Sequence, residues 1–134
     1  MSGSERLIVT SSKAAPPAGP YSHGVKVGRL LFASGQGPFD SKGQRVGETF
    51  AEQAAQVFDN LEAVARAAGA ELMDAVRVGV FLRDLGDFAE LNRVMATRFG
   101  PQFPARTTIA TPLPGFDIEV DAVFLVPEIS TEDA

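Results

Sequence analysis

The 134-residue sequence contains no cysteine and only one histidine, His23. Without cysteine the chain cannot form disulfides, zinc–thiolate centres or iron–sulfur centres, and it has no thiol nucleophile. A single histidine excludes a multi-histidine metal site, and a Ser-His-Asp triad would have to use His23 as its base. We interpret His23 instead as a structural or solvent-facing residue. The candidate functional groups are therefore carboxylates, hydroxyls, amides and guanidinium groups.

The sequence also lacks a surplus of positive charge and any long apolar run. It has 12 Lys and Arg against 17 Asp and Glu, a formal net charge of −5. The cations are scattered from Arg6 to Arg106, which argues against binding to nucleic acid or to an anionic membrane surface. No stretch approaches the roughly 20 apolar residues that span a bilayer, and the first residues do not resemble a signal peptide. We therefore expect a cytoplasmic protein.

The length and the 45% hydrophobic content are typical of one globular domain, predicted over 1–134 with an acidic, flexible tail at 127–134. The clearest element is a helix over Thr49–Ala68, because Thr49 and Glu52 have the spacing of a capping box and Gly69 stands where helices commonly end. A second helix is predicted to begin at Asp87, with Asp87 and Glu90 as its capping pair.

Alternating apolar residues predict strands around these helices. In the strand Ala75–Leu82, we expect Val76 to share one buried face with Val78, Val80 and Leu82. The Gly35-Gln-Gly-Pro38 run should break the third strand. The element order predicts an α+β domain, with a single mixed sheet that carries both helices on one face. The predicted strands are Leu7–Thr10, Val25–Val27, Leu30–Ser34, Ala75–Leu82, Ala105–Ala110 and Phe116–Val126.

Two helices can cover only one face of such a sheet, yet apolar side chains are also expected on the other. Leaving them in water would cost about 25 cal/mol per Å². Self-association through the uncovered face removes that cost. The alternative is that the proline-rich segment Ala14–Pro20 folds back over it. The residues concerned are Leu31, Ala33 or their neighbours, Phe81, Val123 and Leu125.

Arg106 is the first candidate for chemistry, in the segment Phe103-Pro-Ala-Arg-Thr-Thr108. A guanidinium group at the start of a strand can donate two parallel hydrogen bonds to a carboxylate. Such a charge-assisted hydrogen bond contributes about 1.5–3 kcal/mol. The alternative interpretation is an ordinary surface ion pair.

Glu119 is the second candidate, because it lies between Asp117 and Asp121 on one predicted strand face. Repulsion among three carboxylates should raise the pKa of at least one of them. Such a carboxyl group can hold or deprotonate a water molecule, although a plain solvated face is the alternative. Tyr21, the only tyrosine, can offer its hydroxyl to a ligand or can instead plug the core. The Ser34–Gly37 run is not interpreted as a phosphate loop, because no helix follows it.

Seven segments together resemble the RidA (YjgF) family, in the right order and over nearly the whole chain. The run containing Arg106 and the strand containing Glu119 are the most specific of them. The segments are Gly19-Pro-Tyr-Ser22, Phe32-Ala-Ser-Gly-Gln36, the helix with Asp59-Asn-Leu61 and Ala67-Ala-Gly69, Val80-Phe-Leu-Arg-Asp-Leu85, Asp87-Phe88 with Asn92, Phe103-Pro-Ala-Arg-Thr107 and Ile118-Glu-Val-Asp-Ala122.

The resemblance implies a chorismate-mutase-like fold and a homotrimer, in which the sheets form a central barrel and clefts lie between subunits. It implies hydrolysis of 2-aminoacrylate-type enamines and imines to 2-keto acids and ammonia, without a metal or organic cofactor. By position, Arg106 corresponds to the carboxylate-binding residue, Glu119 to the acid that positions water, and Tyr21 to the pocket tyrosine. Ser34 and Asn92 correspond to supporting polar groups, and the main chain of Thr108 to a substrate contact.

The sequence departs from the family pattern at several positions. Thr108 stands where cysteine is frequent, Asp121 where glutamate is commoner, and the 112–115 loop is short. Gly37-Pro38-Phe39 also replaces the usual Ile-Pro or Val-Pro. These changes leave open a pathway-specific member acting on another imine. The further alternatives are a non-catalytic regulator that binds small carboxylates and a ribonuclease or translation inhibitor, which the net charge disfavours.

Overall fold

Six strands form one sheet in the computed structural model of the chain, which describes residues 5–128. The acidic tail predicted at 127–134 lies, from residue 129 onward, outside the described residues. Short 3-10 turns at Leu72–Asp74 and Leu85–Asp87 precede β4 and α2. The elements are β1 (Arg6–Val9), β2 (Gly24–Val27), β3 (Leu30–Gln36), α1 (Phe50–Ala67), β4 (Ala75–Leu82), α2 (Phe88–Phe99), β5 (Ala105–Ala110) and β6 (Ile118–Leu125).

The sheet is mixed, as the sequence predicts, with the strand order β1-β2-β3-β6-β4-β5. Every neighbouring pair is antiparallel except β4 and β5, which run parallel. A parallel pair needs a crossover connection, and α2 supplies it. The order places β6 at the centre and leaves β5 as an edge strand.

Helix α1 begins and ends as its sequence predicts. Thr49 is the N-cap, and both hydrogen bonds of the capping box with Glu52 are formed. Gly69 follows the helix at φ +87°, a conformation that side-chain-bearing residues rarely adopt. The helix buries its apolar stripe, including Val57 and Leu61, against the sheet.

The predicted capping pair of the second helix is wrong. Asp87 precedes α2 but makes no side-chain capping hydrogen bond. Asp84 instead accepts a hydrogen bond from the Gly86 main-chain N–H, which stabilises a 3-10 turn before the helix. Asp87 and Glu90 thus have the spacing of a capping box without its hydrogen bonds, and the side-chain hydrogen bond is made by Asp84, three residues earlier.

Two strand predictions also need correction, and both involve bulges. Val76 is 45% exposed, because an extra residue in β4 between Ala75 and Arg77 reverses the alternation and buries Ala75 instead. Strand β3 continues through Gly35 to Gln36, with an irregular register between Ala33 and Gln36. Bulges cannot be recognised from a pattern of period two, since they shift that pattern by one residue.

The helices cover one face of the sheet, and the opposite face, here called the open face, carries exposed apolar side chains. Leu31 and Ala33 belong to the covered core, and their neighbours lie on the open face. The proline-rich segment borders a cleft at one end of the sheet, while Phe32 remains 48% exposed. None of the helices within residues 5–128 has the length and apolar content needed to cross a bilayer. The open-face residues include Leu30, Phe32, Phe81, Ile109, Val123 and Leu125.

Candidate functional site

A cleft of about 490 Å³ opens where β3 ends and β6 begins, and we call it the acid cleft. Glu119 and Tyr21 lie in its wall together with Gly35 and Gln36, and the other lining residues are glycines, alanines, prolines and phenylalanines. The proline-rich segment forms one side of this cleft. Two of the residues predicted as catalytic are therefore brought together by the fold.

Glu119 lies on the open face, because its neighbours Ile118 and Val120 point into the core. Burial of its carboxyl group raises the pKa of Glu119 above the ordinary value of 4.5, and the negative charge of Asp121 raises it further. Glu119 takes part in no ion pair among residues 5–128. A half-buried carboxylate with a raised pKa and no cation is suited to take a proton from water.

The predicted row of three repelling carboxylates is only partly correct. Asp121 does raise the pKa of Glu119. Asp117, however, pairs with Arg83 at 2.6 Å and accepts a hydrogen bond from the Gln53 side chain at 3.2 Å. The charge of Asp117 is thus compensated by a structural ion pair that periodicity along one strand could not predict.

Tyr21 is held by the turn that precedes it. Its hydroxyl oxygen accepts a hydrogen bond from the Ala18 N–H at 2.9 Å, which leaves the hydroxyl proton free to bind a ligand. The Ser34 hydroxyl donates to the Ser22 carbonyl at 2.6 Å, so its proton supports the Tyr21 loop and its lone pairs remain available. Tyr21 thus faces the cleft as a donor, and Ser34 acts beside it as a support.

His23 holds the start of the proline-rich segment. From the sequence we expected a structural or solvent-facing residue here, without a specific contact. Its Nδ1 accepts a hydrogen bond from the Ser11 N–H at 3.1 Å, and its Nε2 lies 2.7 Å from the Ala15 carbonyl oxygen. Both ring nitrogens are therefore used when the ring is neutral with its proton on Nε2. The ring is buried, and the structural interpretation is confirmed.

Gly35 is a functional position that sequence analysis missed. A methyl group at this position would lie 2.6 Å from Glu119 Oε2 and 3.1 Å from its Cδ, closer than atoms can pack. The bulge in β3 therefore brings bare backbone against the carboxyl group and sets its position.

Gly35→Ala is expected to displace the Glu119 carboxyl group and to lower activity on the substrate proposed below about tenfold, because misplaced catalytic groups lose orientation. Steady-state kinetics on the purified variant measure this effect. Gly19→Ala is the matched control, since a methyl group there would lie 3.6 Å from the Tyr21 ring, an ordinary contact. Equal activity of the two variants would show that Glu119 is not positioned by Gly35.

Arg106 lies elsewhere, on edge strand β5 beside α2, and we call this place the arginine edge. Its guanidinium carbon lies 5.2 Å from the centre of the Phe88 ring, and its Nη1 is 3.3 Å from Met95 Sδ. Arg106 pairs with no carboxylate among residues 5–128. The predicted alternative, a surface ion pair, is therefore not seen there. Apart from the N–H group directed at Met95, this half-buried guanidinium group keeps donors that can bind an anion.

Thr108 and Asn92 lie on the same side of the sheet as Arg106. Thr108 follows Arg106 by two residues in β5, and its hydroxyl oxygen is buried without a hydrogen-bond partner among the described residues. Asn92 is exposed on α2, one turn after Phe88 and three residues before Met95, which places it on the face that Arg106 contacts. The family resemblance implied a substrate contact by the main chain of Thr108 only. Its hydroxyl group is a second polar group of this residue that could contact a ligand.

Within a single chain, the acid cleft and the arginine edge lie apart. Arg106 is registered with Val78, whose side chain is in the core, so Arg106 lies on the helix side of the sheet. Glu119 is registered with Phe81 and lies on the open face. The Arg106 guanidinium group and the Glu119 carboxyl group thus occupy opposite faces, and neither has an oppositely charged partner among residues 5–128.

Other places in the chain are less suited to chemistry. A groove of about 590 Å³ beside α1 has charged groups that already pair, such as Arg66 with Glu62 and Asp59 with Arg98. Within residues 5–128, no group of three or more His, Asp or Glu side chains converges as metal ligands would. The acid cleft and the arginine edge remain the best candidate site.

Comparison with known proteins finds relatives in sequence and in overall structure. A sequence model of the family described as Endoribonuclease L-PSP matches residues 12–126. The RutC family protein y4sK of Sinorhizobium fredii is 44% identical over 118 residues, which is 86% of this chain and 94% of that protein. The human 2-iminobutanoate/2-iminopropanoate deaminase is 35% identical over 134 residues, 98% of each chain. The crystal structure of RidA from an Antarctic Psychrobacter superposes with a TM-score of 0.85 at 37% identity, covering 90% of this chain and 99% of that one.

Proposed function

Because this chain belongs to the Endoribonuclease L-PSP family, which includes the RidA and YjgF proteins, we propose that it hydrolyses 2-imino acids, and their enamine forms such as 2-aminoacrylate, to 2-keto acids and ammonia. The observation that carries the proposal is a pair of oppositely charged groups that form no ion pair within residues 5–128: Glu119, with a raised pKa, in the acid cleft, and Arg106 at the arginine edge. The human relative, named as a 2-iminobutanoate/2-iminopropanoate deaminase, supports it.

The chemistry follows from the properties of these groups. Arg106 binds the substrate carboxylate through its planar fork, with the Thr108 hydroxyl beside it. Glu119 accepts a proton from a water molecule, whose oxygen forms a bond to the imine carbon. The nitrogen then takes back the proton held by Glu119, the added hydroxyl group gives up its own proton to the nitrogen, and the carbon–nitrogen bond breaks, so that ammonia leaves as the carbonyl forms. An imine carbon is already electrophilic, so holding water and substrate in place supplies much of the acceleration.

The same proposal includes a homotrimer with its active sites between subunits. Arg106 and Glu119 lie on opposite faces of one sheet, so one substrate can meet both only if they come from different chains. The apolar open face offers the surface for association. In this arrangement the arginine edge of one subunit closes the acid cleft of its neighbour.

A coupled assay tests the proposed reaction. A pyridoxal-phosphate-dependent serine dehydratase releases 2-aminoacrylate, and pyruvate formation is followed with and without the protein under conditions in which spontaneous hydrolysis is limiting. We expect the protein to accelerate pyruvate release in proportion to its concentration. No acceleration at equimolar protein and dehydratase would contradict the proposal.

Phe32→Lys is expected to dissociate the trimer, because it places a charge at the centre of the apolar open face. Native mass spectrometry should change from three times the 14.2 kDa of one chain to the single-chain mass. Activity should decrease with the dissociated fraction, since each site needs two chains. Ser12→Lys, which adds the same charge on the helix side of the molecule, should remain trimeric. A fully active monomer of Phe32→Lys would rule out shared sites.

The name of the family model suggests RNA cleavage, which we do not propose for this chain. A net charge of −5 opposes binding to a phosphate backbone. The single histidine is buried with both ring nitrogens engaged, so it is not placed to exchange protons with RNA.

A further inference from the structure

On the basis of the function proposed above, we infer that the acid cleft selects 2-imino acids with a bulky apolar side chain, aromatic rings above all, over 2-iminopropanoate. The inference starts from the three groups attached to the reacting carbon. The nitrogen leaves, and the carboxylate is bound at the arginine edge. The remaining group, the substrate side chain, must therefore extend from the carbon beside Glu119 along the rest of the acid cleft.

The cleft wall beyond Glu119 is apolar and larger than a methyl group requires. Phe39 and Phe116 form it, with their ring centres 5.4 Å apart and their planes nearly perpendicular. The prolines Pro16, Pro17 and Pro114 line the remaining sides. Proline has no N–H and these rings have no polar atoms, so the wall attracts an apolar substituent.

Gly37 makes room for the aromatic wall. A methyl group at Gly37 would lie 2.8 Å from Phe39 Cε2 and 3.5 Å from Phe116 Cε2. The Phe39 ring can occupy its position only because this residue has no side chain. Gly35, which touches the Glu119 carboxyl group, lies two residues before Gly37. The rings and the acid therefore line neighbouring parts of the same cleft.

The wall is also held in place by hydrogen bonds to its main chain. The Asn60 side-chain amide donates to the carbonyl oxygens of Phe39 at 2.8 Å and Gly37 at 3.2 Å, and Gln56 donates to the Asn60 amide oxygen at 3.0 Å. On the other side, Arg45 Nε donates to the Gly115 carbonyl at 2.7 Å. A preformed wall binds a matching side chain without an ordering cost, which favours discrimination among substrates.

The test compares two imines made in the same way. D-amino acid oxidase with catalase generates 2-iminopropanoate from D-alanine and 2-imino-3-phenylpropanoate from D-phenylalanine, and semicarbazide traps the imine that escapes the protein. We expect kcat/KM to be at least about tenfold higher for the phenyl substrate. Calorimetry with the product acids is an independent readout, and phenylpyruvate should bind at least tenfold more tightly than pyruvate.

Two variants test the wall itself. Gly37→Ala places a methyl group too close to the Phe39 ring and displaces it, and Phe39→Ala removes the ring, so both should bring the kcat/KM ratio of the two substrates close to one. Met73→Ala, which removes an exposed apolar side chain outside the cleft, should keep the wild-type ratio.

The outcomes separate this inference from the proposed function. Hydrolysis of 2-iminopropanoate as fast as that of the phenyl substrate, with equal binding of the two keto acids, would overturn the inference and leave the deaminase proposal intact. Hydrolysis of neither imine would overturn the deaminase proposal. In that case the relative affinities for phenylpyruvate and pyruvate still test whether the wall selects apolar side chains. Equal binding of the two acids, or binding of neither, would overturn the inference about the wall as well.

Discussion

Arg106→Ala is expected to lower kcat/KM for 2-imino acids about 100- to 1000-fold, mainly by raising KM. The variant removes the proposed charge-assisted hydrogen bonds to the substrate carboxylate, and each of these bonds contributes about 1.5–3 kcal/mol. A loss of about 1.4 kcal/mol lowers a rate constant about tenfold. The carboxylate is bound both before and during the reaction, so the loss affects binding first. Calorimetry should show that the variant no longer binds 2-keto acids.

Two further substitutions make the Arg106 result specific. Arg106→Lys keeps the charge but loses the planar fork, so we expect it to recover only part of the activity. Arg93→Ala removes another arginine nearby, one that pairs with Glu90 on the exposed side of α2, and should retain wild-type kinetics. Wild-type binding of keto acids by Arg106→Ala would contradict the assignment of the arginine edge.

Glu119→Gln is expected to lower kcat about 100-fold while keto-acid binding remains near that of the wild type. The amide preserves the shape of the side chain but cannot accept the proton of the attacking water, a contribution typically of 100-fold or more. Calorimetry and kinetics on the same preparation therefore separate an enzyme from a protein that only binds small carboxylates. If Glu119→Gln keeps full activity, the acid in the cleft has no role in the hydrolysis.

The pH dependence of kcat/KM is a second test of the role proposed for Glu119. The reaction needs ionised Glu119, so kcat/KM should decrease as the pH falls through its raised pKa, above the ordinary value of 4.5. Asp121→Asn removes the like charge, should lower the pKa of Glu119, and should move this acid limb to lower pH. Asparagine can still accept the Gly79 N–H hydrogen bond that Asp121 accepts, so the sheet is preserved.

Glu119→Gln should be at least as stable as the wild type at neutral pH. The pKa of Glu119 is higher in the folded chain than in the unfolded chain, so folding favours the protonated acid. That contribution to stability is complete below about pH 4.5 and is lost as the pH rises through the raised pKa. Thermal unfolding of the variant and the wild type at pH 7 and pH 4 measures the difference. If the variant melted at a lower temperature than the wild type at pH 7, its lost activity would be explained by loss of folded protein instead.

Local patterns in the sequence were sufficient for the elements and for the fold class. The apolar spacing and the Thr49–Glu52 capping box placed α1 to within one residue of its ends, because those signals lie within the helix itself. The alternation in the last strand also predicted that Glu119 and Asp121 share one face, and both lie between buried neighbours in β6. The predicted mixed sheet with helices on one face, and with apolar groups left on the other, is the fold that the structure has.

The sequence by itself determined which residue types could carry the chemistry, since a chain with no cysteine and one histidine leaves few acids, donors and hydroxyls to choose from. Tertiary structure alone decided where each of them lies. The bulges in β3 and β4, the neutralisation of Asp117 by Arg83, and the placement of Arg106 and Glu119 on opposite faces all depend on strands far apart in the chain. A periodic pattern records which side of its own strand a residue occupies, but strand pairing decides what stands beside it.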